Sequence, residues 1–307
     1  MTTPRPGISY DAIVVGAGPN GLAAAIEFAR NGRSVRLYEA NDTVGGGSRS
    51  AELTLPGFVH DPCSAAHPLG VASPFFRSLD LARHGLEWVH PDAPVAHALE
   101  PHRAVLLERS LEATADGLGA DGRRWRLLFD ALVREHERLL PGILGPVVRI
   151  PRHPVLMARF GMAALLPATT IALRGFRTDA AGALFAGMAA HSMVALDRTL
   201  TSSFGLVLGL LAHAVGWPFA RGGSGRIAAA LEAEARSLGG EIATGHRVTG
   251  IADPAPARAV LVAVTVVAGC LALSQELPPR PALTGRLEAG QLDPGGRVRA
   301  GRGDATG

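Results

Sequence analysis

The sequence predicts an α/β protein, in which a Rossmann-like, three-layer nucleotide-binding domain is interrupted by a largely helical segment. Three observations predict it. A strand, a glycine-rich turn and a helix stand in that order in YDAIVVGAGPNGLAAAIEFAR, from Tyr10 to Arg30. A second strand follows at once and closes on an acid, Glu39. From about Ser73 to Pro218 the pattern changes to helices and loops, after which a glycine turn and β-branched runs return.

Tyr10 to Val15 reads as a short buried strand because it is apolar almost throughout and ends on glycine. The Ala-rich run from Leu22 to Arg30 suits a helix, and Asn31-Gly32 closes it, since glycine accepts the left-handed conformation after a last turn. Ser34 to Tyr38 is the second strand, which makes a βαβ beginning. Arg123 to Leu140 carries Trp125, Leu128, Phe129, Leu132, Leu139 and Leu140 at helical spacing, and Pro141-Gly142 is expected to stop it. Further helices are expected around Met157 to Leu166 and Ala180 to Ala190.

The glycine turn Arg221 to Gly225 (RGGSG) leads into an amphipathic helix, Arg226 to Leu238, with Ile227, Leu231 and Leu238 on one stripe and Gly239-Gly240 at its end. Glu241 to Thr244 and His246 to Ile251 read as two short strands. Ala259 to Val267 (AVLVAVTVV) is apolar on both faces and is expected to be a central strand. Beyond Gln275 the chain is rich in Pro, Gly and Arg, and disorder is expected. The resulting division is 1–72, 73–220 and 221–275, with a tail of 276–307.

Composition narrows the function. At 307 residues, 47% hydrophobic and 19% charged, the chain has the makings of a buried core. All 30 basic residues are Arg. Without Lys there is neither a lysine Schiff base nor a GxxxxGK[ST] phosphate loop, which excludes pyridoxal-phosphate and kinase chemistry. A net charge of +3 with no basic run before the last residues gives no nucleic-acid footprint.

Cys63 and Cys270 form no CxxC or zinc spacing, which fits a reducing compartment, and the 11 scattered His residues give no expected metal site. The first nine residues lack the order of a signal peptide, so a cytoplasmic location is expected. Phe204 to Ala220 is broken by His213, Pro218 and three glycines. Ala259 to Leu273 falls short of the ~20 residues a spanning helix needs. No span is expected, and peripheral contact with a membrane surface stays open.

The chemistry lies in the first turn. In Gly16-Ala-Gly18-Pro19-Asn20-Gly21, Gly16 makes the tight turn, Gly18 lets backbone approach a pyrophosphate and Gly21 lets helix and strand pack closely. Pro19 is tolerated because a first-turn N–H has no helical partner. Free N–H groups and the positive end of the helix dipole then face the phosphates. Glu39 stands 18 residues after Gly21, where a carboxylate accepts hydrogen bonds from a ribose diol and opposes the 2′-phosphate of NADP. FAD and NAD both use this fingerprint. A second glycine cluster, in ANDTVGGGSR from Ala40 to Arg49, stands close behind the acid, which a large planar or phosphorylated ligand would use and NAD does not need.

Four stretches carry a family resemblance: DAIVVGAGPNGLAAA at Asp11 to Ala25, YEANDTVGGGSRS at Tyr38 to Ser50, LPGFVHDPCSAAHPL at Leu55 to Leu69, and the run from His213 to Ile251. The sequence resembles the flavin-dependent oxidoreductases of the phytoene desaturase and amine oxidase superfamily, particularly the phytoene dehydrogenase-like branch. The resemblance implies a Rossmann-like FAD-binding domain with a helical cap or substrate domain at 73–220. It implies that Gly16, Gly18, Pro19, Asn20 and Gly21 meet the FAD pyrophosphate, that Glu39 and Ala40 meet the adenosine ribose, and that Gly45, Gly46, Gly47 and Arg49 line the flavin side. It places Val248 at the adenine, and Asp61, Ser64 and His67 in a loop that shapes the entry to the isoalloxazine.

In such enzymes a C–H bond gives hydride to the flavin, and the protein supplies orientation and a dry pocket. No catalytic residue is named. His67 and His213 read as hydrogen-bonded structural histidines, and Arg123, Arg124 and Arg126 as a solvated helix face. The apolar helical segment implies a lipophilic, isoprenoid-like substrate. The missing Lys lowers the amine alternative. Members of that superfamily carry a further substrate segment and a final flavin-binding segment, whereas here the likeness fades after about Val262. The tail from Pro281 resembles the translation of an alternative reading frame. A shortened chain is therefore expected, and two other readings stand beside the enzyme: a noncatalytic dinucleotide-binding remnant and an NAD-dependent dehydrogenase.

Overall fold

A computed structural model describes residues 9–100, 103–145, 150–250, 253 and 255–263. The first strand, β1 (Tyr10–Val15), buries Ala12, Ile13 and Val14 completely. Helix α1 (Pro19–Arg30) follows, with Pro19 in the first turn and Leu22, Ala25, Ile26 and Ala29 on its buried face. Gly32, at φ +69°, donates its N–H to the Ala29 carbonyl and ends the helix as the left-handed conformation requires. The chain then enters β2 (Val35–Tyr38).

Two later strands complete a parallel sheet, β3 (Glu241–Ala243) and β4 (Ala257–Val262), in the spatial order β3-β2-β1-β4. Val15 stands opposite Tyr38 on one side and Val262 on the other, while Tyr38 pairs Ala243. Chain order reverses between β1 and β4. In open α/β sheets ligands bind beyond the carboxyl ends of the strands at such a switch point, and here that point is the mouth of the Gly16 turn.

The helical part has its own core. Helix α2 (Gly122–Arg134) buries Trp125, Phe129 and Leu132, and α3 (His136–Ile143) adds Leu139 and Leu140. Around them lie α4 (Pro154–Ala164), α5 (Asp179–Ala189) and α6 (Thr201–Ala214). Helix α6 explains the apolar run after Phe204. Leu206, Leu210 and Leu211 are fully buried, and Gly205 and Gly209 admit the rings of Phe185 and Phe129. A Cβ at Gly209 would lie 2.6 Å from the Phe129 ring, so only glycine lets the helices approach this closely. Among the described residues no single helix is long and apolar enough to cross a membrane, although α4 and the stretch Ala168–Gly175, bent by 85°, would be together.

Four sequence expectations change. Arg123 to Leu140 is not one helix, because the chain breaks at Glu135. Pro141 does not stop the second helix: it lies inside it, and both Pro141 and Glu137, whose carbonyl it leaves without a helical partner, are exposed residues. Thr244 to Gly250 forms no strand, since the N–H groups of Gly245 and His246 turn back to the carbonyls of Asn41 and Glu39. Ile251 lies outside the described residues. The run expected in the sheet centre is β4, at an edge of the described sheet, paired there with β1, and its Val260 and Val262 are exposed.

Cys270 and the tail 276–307 also lie outside the described residues. Leu81 and Leu86, which follow residue 73, belong to the core shared by α1, the sheet and the helix that follows Ser224 rather than to the helical core. They are fastened there by Glu234 on helix α7 (Gly225–Ser237), which bonds Arg83 and His84.

Candidate cofactor site

At the end of β1 the chain must turn sharply to enter α1. Gly16 does this at φ +101°, with its N–H on the Tyr38 carbonyl at 2.7 Å. Gly18 is the N-cap of α1 in extended conformation and brings no side-chain cap, so no cap side chain takes the first-turn N–H groups. Gly21 has no room for anything larger: a Cβ there would stand 1.9 Å from the Gly16 carbonyl oxygen.

The second glycine cluster folds onto the first. Gly45, at φ +131°, donates its N–H to the Ala17 carbonyl at 2.8 Å, and a Cβ on Gly46 would lie 3.0 Å from Gly18 Cα. Two glycine turns far apart in sequence thus meet backbone to backbone in front of α1. Gly47 lies against Cys63, whose Sγ would be 3.2 Å from an added Cβ.

Glu39, at the tip of β2, is 6% exposed. Its Oε2 accepts from the Ala17 N–H at 2.8 Å, while Oε1 accepts from the N–H and side-chain amide of Asn41 and from Arg49 Nη2 at 3.3 Å. Burial alone would raise this carboxyl's pKa. The N–H groups of Asn41 and Ala17, the Asn41 amide and the Arg49 charge outweigh burial and hold it below the usual carboxylate range. A carboxylate offers about four acceptor positions, so one on Oε2 remains for a ribose hydroxyl.

Arg49 faces Glu39 and the Thr43 carbonyl, 2.6 Å from its Nη2. Its guanidinium therefore sits beside Glu39. Its buried Nε–H has no acceptor among the described residues. Asn20 and Ala40 are exposed at the rim. Val248 is half-buried in the irregular stretch between β3 and β4.

Asp61, Ser64 and His67 are also brought together, by a residue that sequence reasoning did not single out. Ser224, fully buried at the start of α7, donates its N–H to Asp61 Oδ1 and its hydroxyl to the Ser64 carbonyl, and lies 2.7 Å from His67 Nε2. Only the RGGSG turn hinted at it. Burial lowers the His67 pKa, against the pull of the Asp61 charge, and favours the neutral ring. His213 lies elsewhere, inside the helical core, and accepts from the Trp125 indole N–H at 3.0 Å.

Residues 14–79 match the NAD(P)-binding Rossmann-like domain, a span that includes both glycine turns and Glu39. This part of the chain has a Rossmann-like fold. Its solved likenesses extend further. The PF1083 protein from Pyrococcus furiosus superposes with a TM-score of 0.55 at 18% identity, covering 88% of this chain and 62% of that one. An oxidoreductase from Methanosarcina mazei superposes with a TM-score of 0.50 at 15% identity, covering 87% and 62%.

These likenesses establish the fold: a Rossmann-like domain with helices inserted between its second and third strands. In sequence, the chain is 26% identical over 253 residues to a limonene dehydrogenase polypeptide of Castellaniella defragrans, covering 78% of this chain. The match spans 45% of that relative's length.

Proposed function

We propose that this chain is an FAD-dependent oxidoreductase of the phytoene desaturase and amine oxidase superfamily, of dehydrogenase or desaturase type, acting on a lipophilic, isoprenoid-class substrate. The observation that carries the reading is the meeting of Gly18 and Gly46 at the switch point of the sheet, where a Cβ on Gly46 would stand 3.0 Å from Gly18 Cα. Gly16, Gly18, Pro19, Asn20 and Gly21 hold the diphosphate, and Gly45, Gly46, Gly47 and Arg49 line the flavin side. Glu39 and Ala40 take the ribose and Val248 the adenine. Bound there, FAD supplies the ring that accepts hydride.

The chain's own work is to bind, orient and exclude water. The first-turn N–H groups of α1 neutralise the diphosphate, and Glu39 discriminates against a 2′-phosphate. The helical part supports an apolar substrate, and the sequence likeness to a protein named for limonene, an isoprenoid hydrocarbon, supports the same class. Peripheral contact with a bilayer belongs to this proposal too, through the exposed Val155, Met162, Leu165 and Leu173 on and after α4.

The test is purification of the full chain, with and without added FAD. A flavin spectrum at one cofactor per chain, bleached by a terpene under anaerobic conditions, is the expected result. A colourless protein that refuses FAD would overturn the reading. Binding without bleaching across a terpene panel selects the noncatalytic alternative, and saturable NADH binding in place of FAD selects the nicotinamide one.

A further inference from the structure

The geometry assigns Asp61 and Ser224 as positioning residues that hold the second glycine turn in place for the cofactor, an inference that rests on the reading above. Arg49 and Ser50 are consecutive, and they are strung between two carboxylates. On one side Arg49 bonds Glu39, which also holds the Ala17 N–H of the first turn. On the other side Ser50 Oγ donates to Asp61 Oδ1 at 2.5 Å and accepts from the Gly225 N–H at 2.8 Å.

Asp61 Oδ1 also takes the Ser224 N–H at 2.8 Å. Two free N–H groups at the start of α7 are thus satisfied by Asp61 and Ser50, both more than 160 residues away in sequence, as the separations of 163 and 175 record. The helix start is the anchor, and the turn is what it anchors.

Three further contacts fix the arrangement. The Ser224 hydroxyl is committed as donor to the Ser64 carbonyl, so it accepts from His67, whose proton must sit on Nε2. Gly223 adopts φ +94°, and a Cβ there would lie 2.5 Å from Ser50 Oγ and 3.2 Å from Asp61 Oδ1, so the loop is pressed against the helix start. Cys63, two residues beyond Asp61, lies against Gly47. Segment 50–67 is therefore pinned at Ser50 and again from Asp61 to His67, and Cys63, inside that second tie, touches the glycine turn. Release of the Asp61 and Ser224 bonds removes the tie between that turn and the start of α7, while its hydrogen bonds toward Ala17 and Glu39 stay.

Hydrogen–deuterium exchange and FAD titration of Asp61→Ala, which removes the acceptor of both bonds, and of Ser224→Ala, which removes the bonds to Ser64 and His67, compared with the unaltered full chain, test this. Loss of a buried hydrogen bond of this kind is expected to speed exchange at Gly45–Arg49 in the FAD-free protein by about tenfold, with β1 and α1 unchanged, and to raise the FAD Kd by about tenfold. Faster exchange confined to residues 223–227 with an unchanged Kd would overturn the assignment and leave an ordinary helix cap.

Ser50→Ala, the mildest cut, carries the test if the other variants fail to fold, with the same exchange pattern supporting and an unchanged pattern at Gly45–Arg49 overturning. Ser50→Thr, which keeps the hydroxyl, is expected to restore both readings. If the unaltered protein takes up no FAD, the proposed function falls while the exchange comparison still decides the positioning role.

Discussion

The backbones of Gly18 and Gly46 lie so close that a Cβ on Gly46 would stand 3.0 Å from Gly18 Cα. Gly46 also adopts φ +53°, so a side chain there is both crowded and conformationally disfavoured. Gly46→Val is expected to abolish stoichiometric FAD uptake while leaving the far-ultraviolet circular dichroism intact. Gly18→Leu, whose side chain would enter the open mouth, is expected to do the same. Full flavin content in either variant would refute this placement of the cofactor.

Gly21 makes a different prediction, about folding. Its Cβ would collide with the Gly16 carbonyl at 1.9 Å, and backbone cannot move aside as a flexible side chain can. Gly21→Ala is expected to destabilise the protein by about 3 kcal/mol or more, read as a lower denaturant midpoint even without cofactor. A midpoint equal to that of the unaltered chain would show that α1 and β1 have slack that the structure does not contain.

The hydrogen bonds to Glu39 set a dependence on acid. Its carboxyl holds a proton less tightly when folded than when unfolded, so the stability it lends is complete above pH 4.5, its ordinary value, and is lost as pH falls through the lower folded value. Glu39→Gln is expected to lower stability at pH 7, on the order of 1–3 kcal/mol for unsatisfied buried donors, and to flatten the acid limb of the unfolding curve. Parallel acid limbs for the two proteins would deny Glu39 this role.

His213 acts in the opposite range. Buried between Trp125 and the helical core, its ring has its pKa lowered by burial, against the Arg109 and Glu108 carbonyls that favour the charged form. The unfolded chain takes up a proton near pH 6.5 and the folded one does not, so stability is lost as pH falls below that value. Urea midpoints at pH 7.5 and 5.5 should differ less in His213→Asn than in the unaltered protein. An identical pH slope in the two would disprove the assignment.

The part of the fold legible in sequence is the part built by neighbours. The strand, turn and helix from Tyr10 to Arg30 need only an apolar run, glycines where φ must be positive and a proline at the first helical position. The break at Glu135 and the bend of Thr244–Gly250 away from the sheet were not legible, because they depend on which distant carbonyl is free to accept a hydrogen bond.

The site divides the same way. Both glycine clusters and Glu39 were visible as types at spacings, whereas Arg49 turning to Glu39 and Ser224 taking Asp61 were not. By itself the sequence determined a Rossmann-like start, the absence of lysine chemistry and an apolar helical insertion, since each follows from residue type and local order. Only the tertiary structure decided that the two glycine turns touch and that a serine beside a distant helix fastens the second of them. Hydrogen bonds reward proximity in space, and no local pattern records which residues 160 or more positions apart the fold will bring within reach.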